Sequence, residues 1–95
     1  MDFVISKQNQ TGAVLLRRFG YAIYTNREGG ESFVRRIHGS DFPRFHLYIN
    51  KEDDRTLTCS LHVDQKAPSY AGSRMHGGDY DSDAVKQEVA RLQSS

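Results

Sequence analysis

Two histidines and an aspartate stand out in the sequence, because imidazole and carboxylate side chains transfer protons and bind transition metals. His46 lies within the run from Arg44 to Ile49. His62 lies within the run from Thr56 to Val63, and Asp64 follows that run directly. Polar and apolar residues alternate in both runs, which is typical of half-buried β-strands. The three residues are therefore predicted to lie on two strands.

The alternation decides which side chains share a face, because neighbouring residues of a strand point to opposite faces of its sheet. The predicted core face carries Phe45, Leu47, Ile49, Leu57, Cys59, Leu61 and Val63. The opposite face then carries Arg44, His46, Tyr48, Thr58, Ser60, His62 and Asp64. Opposed residues of paired strands lie about 4.5–5.5 Å apart, and diagonal neighbours about 7–8 Å. We therefore expect His46 and His62 to reach a common ion or phosphate, whereas Cys59 and His62 are not expected to form a nucleophilic pair.

The segment from Gln65 to Tyr80 shows neither a helical nor a strand period. Loops longer than about 12–15 residues are uncommon in compact domains and are usually functional or disordered. This segment interleaves glycines with side chains able to contact a ligand, namely Lys66, Tyr70, Arg74, Met75, His76 and Tyr80. We predict that it crosses the polar face of the two strands and brings His76 toward His46 and His62.

Metal binding is the most specific hypothesis for this site. Three imidazoles with a carboxylate form the ligand set of open zinc sites and of other transition-metal sites. His46, His62 and His76 would bind a divalent transition metal such as zinc. Asp64 would be a fourth ligand, or Asp64 or Asp79 would hold one imidazole by a hydrogen bond. A position left for water or substrate would then support hydrolase-like chemistry.

Metal-independent phosphodiester cleavage is a second hypothesis built on the same three histidines. One imidazole would act as the general base and another as the general acid. The cations Arg44, Lys66 and Arg74 would stabilise the phosphorane-like transition state. Tyr48 or Tyr80 would position the substrate.

Two further hypotheses involve no catalysis. A half-exposed sheet face could bind single-stranded nucleic acid or a protein partner. Its residues would be Arg35, Arg44, His46 and Tyr48. Alternatively, a buried polar network could hold the long loop in place. Its members would be His46, His62, Asp64 and Tyr80. The sequence is compatible with all four hypotheses and leaves open whether the protein is an enzyme.

Two helices flank the predicted strands. Thr11 is a predicted N-cap, and Gly20 is a predicted left-handed stop. The second helix begins at Asp81 or Ser82 and carries an apolar stripe, Val85, Val89 and Leu92. Between the helices, the predicted strands are 21–25, 32–37, 44–49 and 56–63. The expected fold is α+β, an antiparallel meander of about four strands packed on one face by an N-terminal and a C-terminal helix.

Composition limits the class of protein. A chain of 95 residues with 37% hydrophobic residues predicts a single domain over 1–95, with a frayed tail at 93–95. The net charge of +1 argues against a protein that coats nucleic acid. One cysteine allows neither an internal disulfide nor a zinc finger with several thiolates. We expect a cytoplasmic protein without a membrane span or a secretory signal. An oligomer would cover the edges of the meander.

Four motifs resemble those of a family of small bacterial proteins. The family pattern is Pro-Arg-Phe-His, then Leu-His-Leu-Asp-Gln-Lys, then Ser-Tyr-x-Gly, then His-x-Gly-Glu-Tyr. The similar segments here are 43–46, 61–66, 69–72 and 76–80, with Val63 in place of leucine and Asp79 in place of glutamate. The resemblance extends from about Ser32 to the second predicted helix. It marks the same histidines and aspartate, and it implies no particular activity because the function of that family is not established.

Overall fold

The fold is α+β, as predicted. The computed structural model describes residues 1–65, 78–79 and 82–94. The helices are α1 (Gly12–Arg18) and α2 (Asp83–Gln93). The strands are β1 (Asp2–Ser6), β2 (Ala22–Thr25), β3 (Glu31–Arg36), β4 (Arg44–Glu52), β5 (Thr56–Asp64) and β6 (Gly78–Asp79). Neither of these helices is long and apolar enough to cross a bilayer.

The strands form one antiparallel sheet in the order β1-β5-β4-β3-β2, and β6 also pairs with β5. The meander from β2 to β5 corresponds to the four predicted strands. β1 and β6 were not predicted. In β1, Phe3 and Ile5 are buried and Val4 is exposed. Because these three residues are all apolar, the sequence does not show the alternation of buried and exposed positions. Their pairing with β5 also depends on contacts between distant parts of the chain.

Both helices contribute to one apolar cluster with the inner face of the sheet. The side chain of Thr11 accepts a hydrogen bond from the backbone N–H of Val14, which satisfies a free donor at the start of α1. Gly20 follows α1 with a φ of +101°, a conformation that favours glycine. Ser82 caps α2 in the same way by accepting from Val85 N–H. The predicted N-cap at Thr11 and the predicted stop at Gly20 are confirmed. Because both helices pack on the inner face, the other face of the sheet is free of helices among the described residues.

A buried carboxylate joins α2 to the sheet. Glu88 accepts a hydrogen bond of 2.6 Å from the hydroxyl of Tyr21 and lies in ion pairs with Arg35 and Arg91. Arg35 therefore extends from β3 toward α2. The hypothesis that placed Arg35 on the same face as His46 is wrong, because β3 pairs Arg35 with the inward-facing Phe45.

Candidate metal centre

The pairing of β4 with β5 brings together the predicted site residues that lie on these two strands. His46 lies directly opposite His62, and Arg44 lies directly opposite Asp64. The centroids of the two imidazole rings are 5.0 Å apart. On the other face, the seven predicted core side chains are buried except for Ile49, which is half-buried. The predicted division between the two faces is confirmed for β4 and β5, and Cys59 lies in the core, on the face opposite His62.

Asp64 is the centre of a hydrogen-bond network. Its Oδ2 lies 2.9 Å from His46 Nδ1, and its Oδ1 lies 2.9 Å from His62 Nε2. Arg44 Nε donates to the same Oδ2 at 3.1 Å. His62 and Asp64 can both take part because they are two residues apart on one strand, which puts their side chains on one face.

The protonation state of Asp64 follows from its surroundings. Burial raises the pKa of this carboxyl group, but hydrogen bonds from His46, His62 and Arg44, with the charge of His46, outweigh it and hold the pKa well below its usual range. The carboxylate is therefore ionised at neutral pH and can only accept hydrogen bonds. The ring nitrogens of His46 and His62 that face it must each carry a proton.

Ser32 on β3 also contacts His46. Its Oγ lies 2.7 Å from His46 Nε2, on the side of the ring opposite Asp64. Both side chains are buried, with 4% and 7% of their surfaces exposed. At this exposure the hydroxyl is not presented to a substrate, so it serves to hold the ring. In a neutral ring whose Nδ1 carries the proton, Nε2 accepts a hydrogen bond from the Ser32 hydroxyl.

Ser32 was missed by the sequence predictions. The sequence did contain a signal for it. Phe33 faces the core, so alternation along β3 places its neighbours Ser32 and Val34 on the opposite face, which is the face of His46. Val34 is directly opposite His46 in the pairing of β3 with β4. That register is a property of the sheet, so alternation alone could not connect Ser32 with His46.

Aromatic side chains surround the network. Tyr48 stacks on His46 with 4.6 Å between ring centroids, and it also stacks on His62 at 5.8 Å. Tyr24, which was not predicted, meets His46 edge to face at 5.9 Å. The guanidinium carbon of Arg44 lies 5.0 Å from the Tyr24 ring centroid. Tyr24 and Tyr48 are 38% and 40% exposed, so the network borders the surface.

His46, His62 and Asp64 form a group that could hold a metal ion. One ligand atom from each residue lies within 4.8 Å of the other two. Ligands about 2.0–2.2 Å from a tetrahedral metal are about 3.4 Å from one another. The two separations of 2.9 Å between ring nitrogens and carboxylate oxygens are already close to this value. These separations therefore lie within about 0.5 Å of the spacing between the ligands of a metal ion.

The predicted site residues fall into three groups. The structure brings together Arg44, His46, Tyr48, His62 and Asp64. It places Arg35 on the opposite face, against Glu88. The third predicted imidazole and the other loop residues lie outside the described part of the chain, namely Lys66, Arg74, His76 and Tyr80. The backbone of β6 pairs Gly78 with Asp64 and Asp79 with Val63.

Comparison with known proteins adds no relative from which a function could be transferred. No family model, curated protein or solved structure matches this chain.

Proposed function

We propose that His46, His62 and Asp64 bind a divalent transition metal such as zinc, and that the bound metal supports hydrolase-like chemistry. The observation that carries this proposal is the convergence of two imidazoles and one carboxylate, with ligand atoms within 4.8 Å, on one face of two paired strands. Two histidines with a carboxylate are a known ligand set for zinc and for iron(II), and three protein ligands leave positions open.

The existing hydrogen bonds indicate how each residue would bind the metal. His46 would use Nδ1 and His62 would use Nε2, because these nitrogens already face Asp64. Each would lose the proton that it now donates to the carboxylate, since a metal ligand must have a free lone pair. Asp64 requires no such change, because its low pKa keeps it ionised.

Ser32 supports the same arrangement from outside the ligand set. With a metal on Nδ1 of His46, the ring proton would be on Nε2. Ser32 Oγ lies 2.7 Å from Nε2 and would accept a hydrogen bond from this N–H group. The Ser32 hydroxyl can then donate to the carbonyl oxygen of Tyr24, which lies at 3.4 Å. Hydrogen bonds of this kind fix the tautomer and the orientation of a ligating imidazole.

The chemistry would be that of metal-bound water. A zinc ion lowers the pKa of its bound water to about 7, which supplies hydroxide at neutral pH. Tyr48 and Tyr24 border the site and are partly exposed, so a substrate would approach from that side. Strands β4 and β5 would hold the ligands in fixed positions, and this rigidity favours a defined coordination geometry.

Metal content tests the proposal directly. Untagged wild-type protein that has not met a chelator should contain about one equivalent of a transition metal, measured by elemental analysis, or should take it up from zinc or manganese. We expect His62→Ala to lose the metal while its circular dichroism spectrum stays folded. His38→Ala is the matched control, because His38 is an exposed histidine away from this network. A folded wild type that takes up neither zinc nor manganese would overturn the proposal, as would equal metal loss in both variants.

Binding of a partner without catalysis is the second candidate function. It is favoured by the exposure of Tyr24 and Tyr48 beside Arg44, since exposed aromatic rings and guanidinium groups stack on the bases of single-stranded nucleic acid. It ranks second because the net charge is only +1. Fluorescence anisotropy with a single-stranded oligonucleotide tests it. Binding that Tyr48→Ala weakens about 10-fold, as loss of a stacked base predicts, would support this function.

A further inference from the structure

Arg44 has hydrogen-bonding capacity that the described residues do not use. Its Nε donates to Asp64, and this is the hydrogen bond that the Arg44 side chain makes within residues 1–65, 78–79 and 82–94. The two terminal amino groups, Nη1 and Nη2, are the other donors of the guanidinium. The Arg44 side chain is 13% exposed, and no fully buried side-chain nitrogen or oxygen in the described part lacks a partner, so these groups are not fully buried.

The guanidinium is held in a defined position. Its carbon lies 4.4 Å from the ring centroid of Phe42 and 5.0 Å from that of Tyr24. The bond from Nε to Asp64 fixes the rotation of the group. An arginine whose contacts already fix its plane loses little conformational entropy when it binds a ligand. This is the condition for a preorganised anion site.

The charges at the site identify the ligand. A divalent metal would add two positive charges and Arg44 adds one, whereas Asp64 contributes a single negative charge. With neutral water on the metal, the sum is about +2, which a phosphate monoester neutralises because it carries a charge of about −1.5 to −2 at pH 7. A carboxylate ligand would leave the site with a net positive charge. Arginine also binds phosphate with two parallel hydrogen bonds.

We propose that the Nη groups of Arg44 bind the phosphate group of a monoester substrate beside the metal at His46, His62 and Asp64. This inference rests on the proposed metal site and names its substrate class. Arg44 and the metal would each contact a phosphate oxygen, so Arg44 would bind the substrate directly. Tyr24 and Phe42 would keep the guanidinium in place.

Isothermal titration calorimetry with inorganic phosphate tests this subsite. The protein is loaded with zinc and then dialysed to remove the excess. Arg44→Gln should weaken phosphate binding about 10- to 100-fold, because it removes a charged, two-point contact. Arg36→Gln is the matched control, since Arg36 lies directly opposite Arg44 on β3 but is 62% exposed and paired with Asp41. We expect the control to change the phosphate affinity by less than about twofold.

A second variant and a second anion complete the test. Arg44→Lys keeps the charge but lacks the planar pair of donors, so it should bind phosphate less tightly than the wild type even if Arg44→Gln does not fold. Acetate should bind the wild type at least about 10-fold more weakly than phosphate, given its single charge. Wild-type phosphate affinity in either Arg44 variant, or equal binding of the two anions, would overturn the inference.

Metal content separates the two proposals. If zinc is bound and phosphate binding is independent of Arg44, the subsite is wrong and the metal site stands. If neither zinc nor manganese is bound, the metal site is wrong, and the same phosphate titration is run on the metal-free protein. Binding that depends on Arg44 would then support the anion site by itself, and no phosphate binding would overturn it.

Discussion

Replacement of Asp64 by asparagine tests whether the ionised carboxylate organises the site. The variant keeps the shape of the side chain but loses the negative charge and replaces one acceptor oxygen with a donor NH₂ group. In the wild type, three donors converge on this carboxylate, from His46, His62 and Arg44. In the variant, one of these donors meets the NH₂ group and Arg44 loses its counter-ion.

The expected loss of stability can be worked out from these contacts. Hydrogen bonds to a charged group contribute about 1.5–3 kcal/mol each, and neutral ones about 0.5–1.5 kcal/mol. Three such differences give about 3–4.5 kcal/mol. The Asp64 side chain is 19% exposed, and neutralising it removes a desolvation penalty, so we expect a net loss of about 2–3 kcal/mol at pH 7. This corresponds to a fall in Tm of roughly 10–20 °C for a domain of this size.

Urea denaturation followed by circular dichroism, with a chelator present, measures this change without any metal contribution. Asp41→Asn is the matched control, because Asp41 is 72% exposed and pairs with Arg36 at the surface. The control should lie within about 0.5 kcal/mol of the wild type. If Asp64→Asn costs no more than Asp41→Asn, the carboxylate does not hold the network together and the reasoning is refuted.

The difference in the free energy of unfolding between wild type and Asp64→Asn should also depend on pH. The folded-state pKa of Asp64 lies below its unfolded value, which is about 3.9 for an unperturbed aspartate. The stabilisation by the carboxylate is therefore complete above about pH 5 and decreases as the pH falls below about 4. Denaturation curves at pH 7, 5 and 3 should show the two free energies of unfolding approaching each other only at the lowest pH.

Three further predictions concern the opposite face of the sheet. Tyr21→Phe should lower the free energy of unfolding by about 1–2 kcal/mol in urea, because it removes the buried hydroxyl that donates to Glu88; no loss would contradict this role. Gly12→Ala should destabilise by about 1–2 kcal/mol in the same assay, since its Cβ would lie 2.7 Å from Cδ2 of the fully buried Leu57; a more stable variant would show that Leu57 yields freely. Burial raises the pKa of the Cys59 thiol to about 12, so iodoacetamide at pH 8 should alkylate it only after unfolding; rapid alkylation of the folded protein would contradict its position in the core.

The local patterns of the sequence correctly predicted which side chains of β4 and β5 share a face. Alternation placed His46, His62 and Asp64 on one face, because the side-chain direction along a strand is a property of neighbouring residues. Helix α1 begins after Thr11 and stops before Gly20, as the sequence indicated, because caps depend on backbone groups within a few positions. These features needed no knowledge of distant contacts.

Long-range pairing decided the rest. Asp64 bonds to both imidazoles only because the register sets His46 directly opposite His62. Ser32 reaches His46 from a third strand, β3. Tyr24 contacts the guanidinium of Arg44 from a fourth strand, β2. The sequence determined which side chains share a face of each strand, since strand geometry is local. Only the tertiary structure decided which strands lie side by side and in what register, because pairing depends on how the whole chain buries its apolar face.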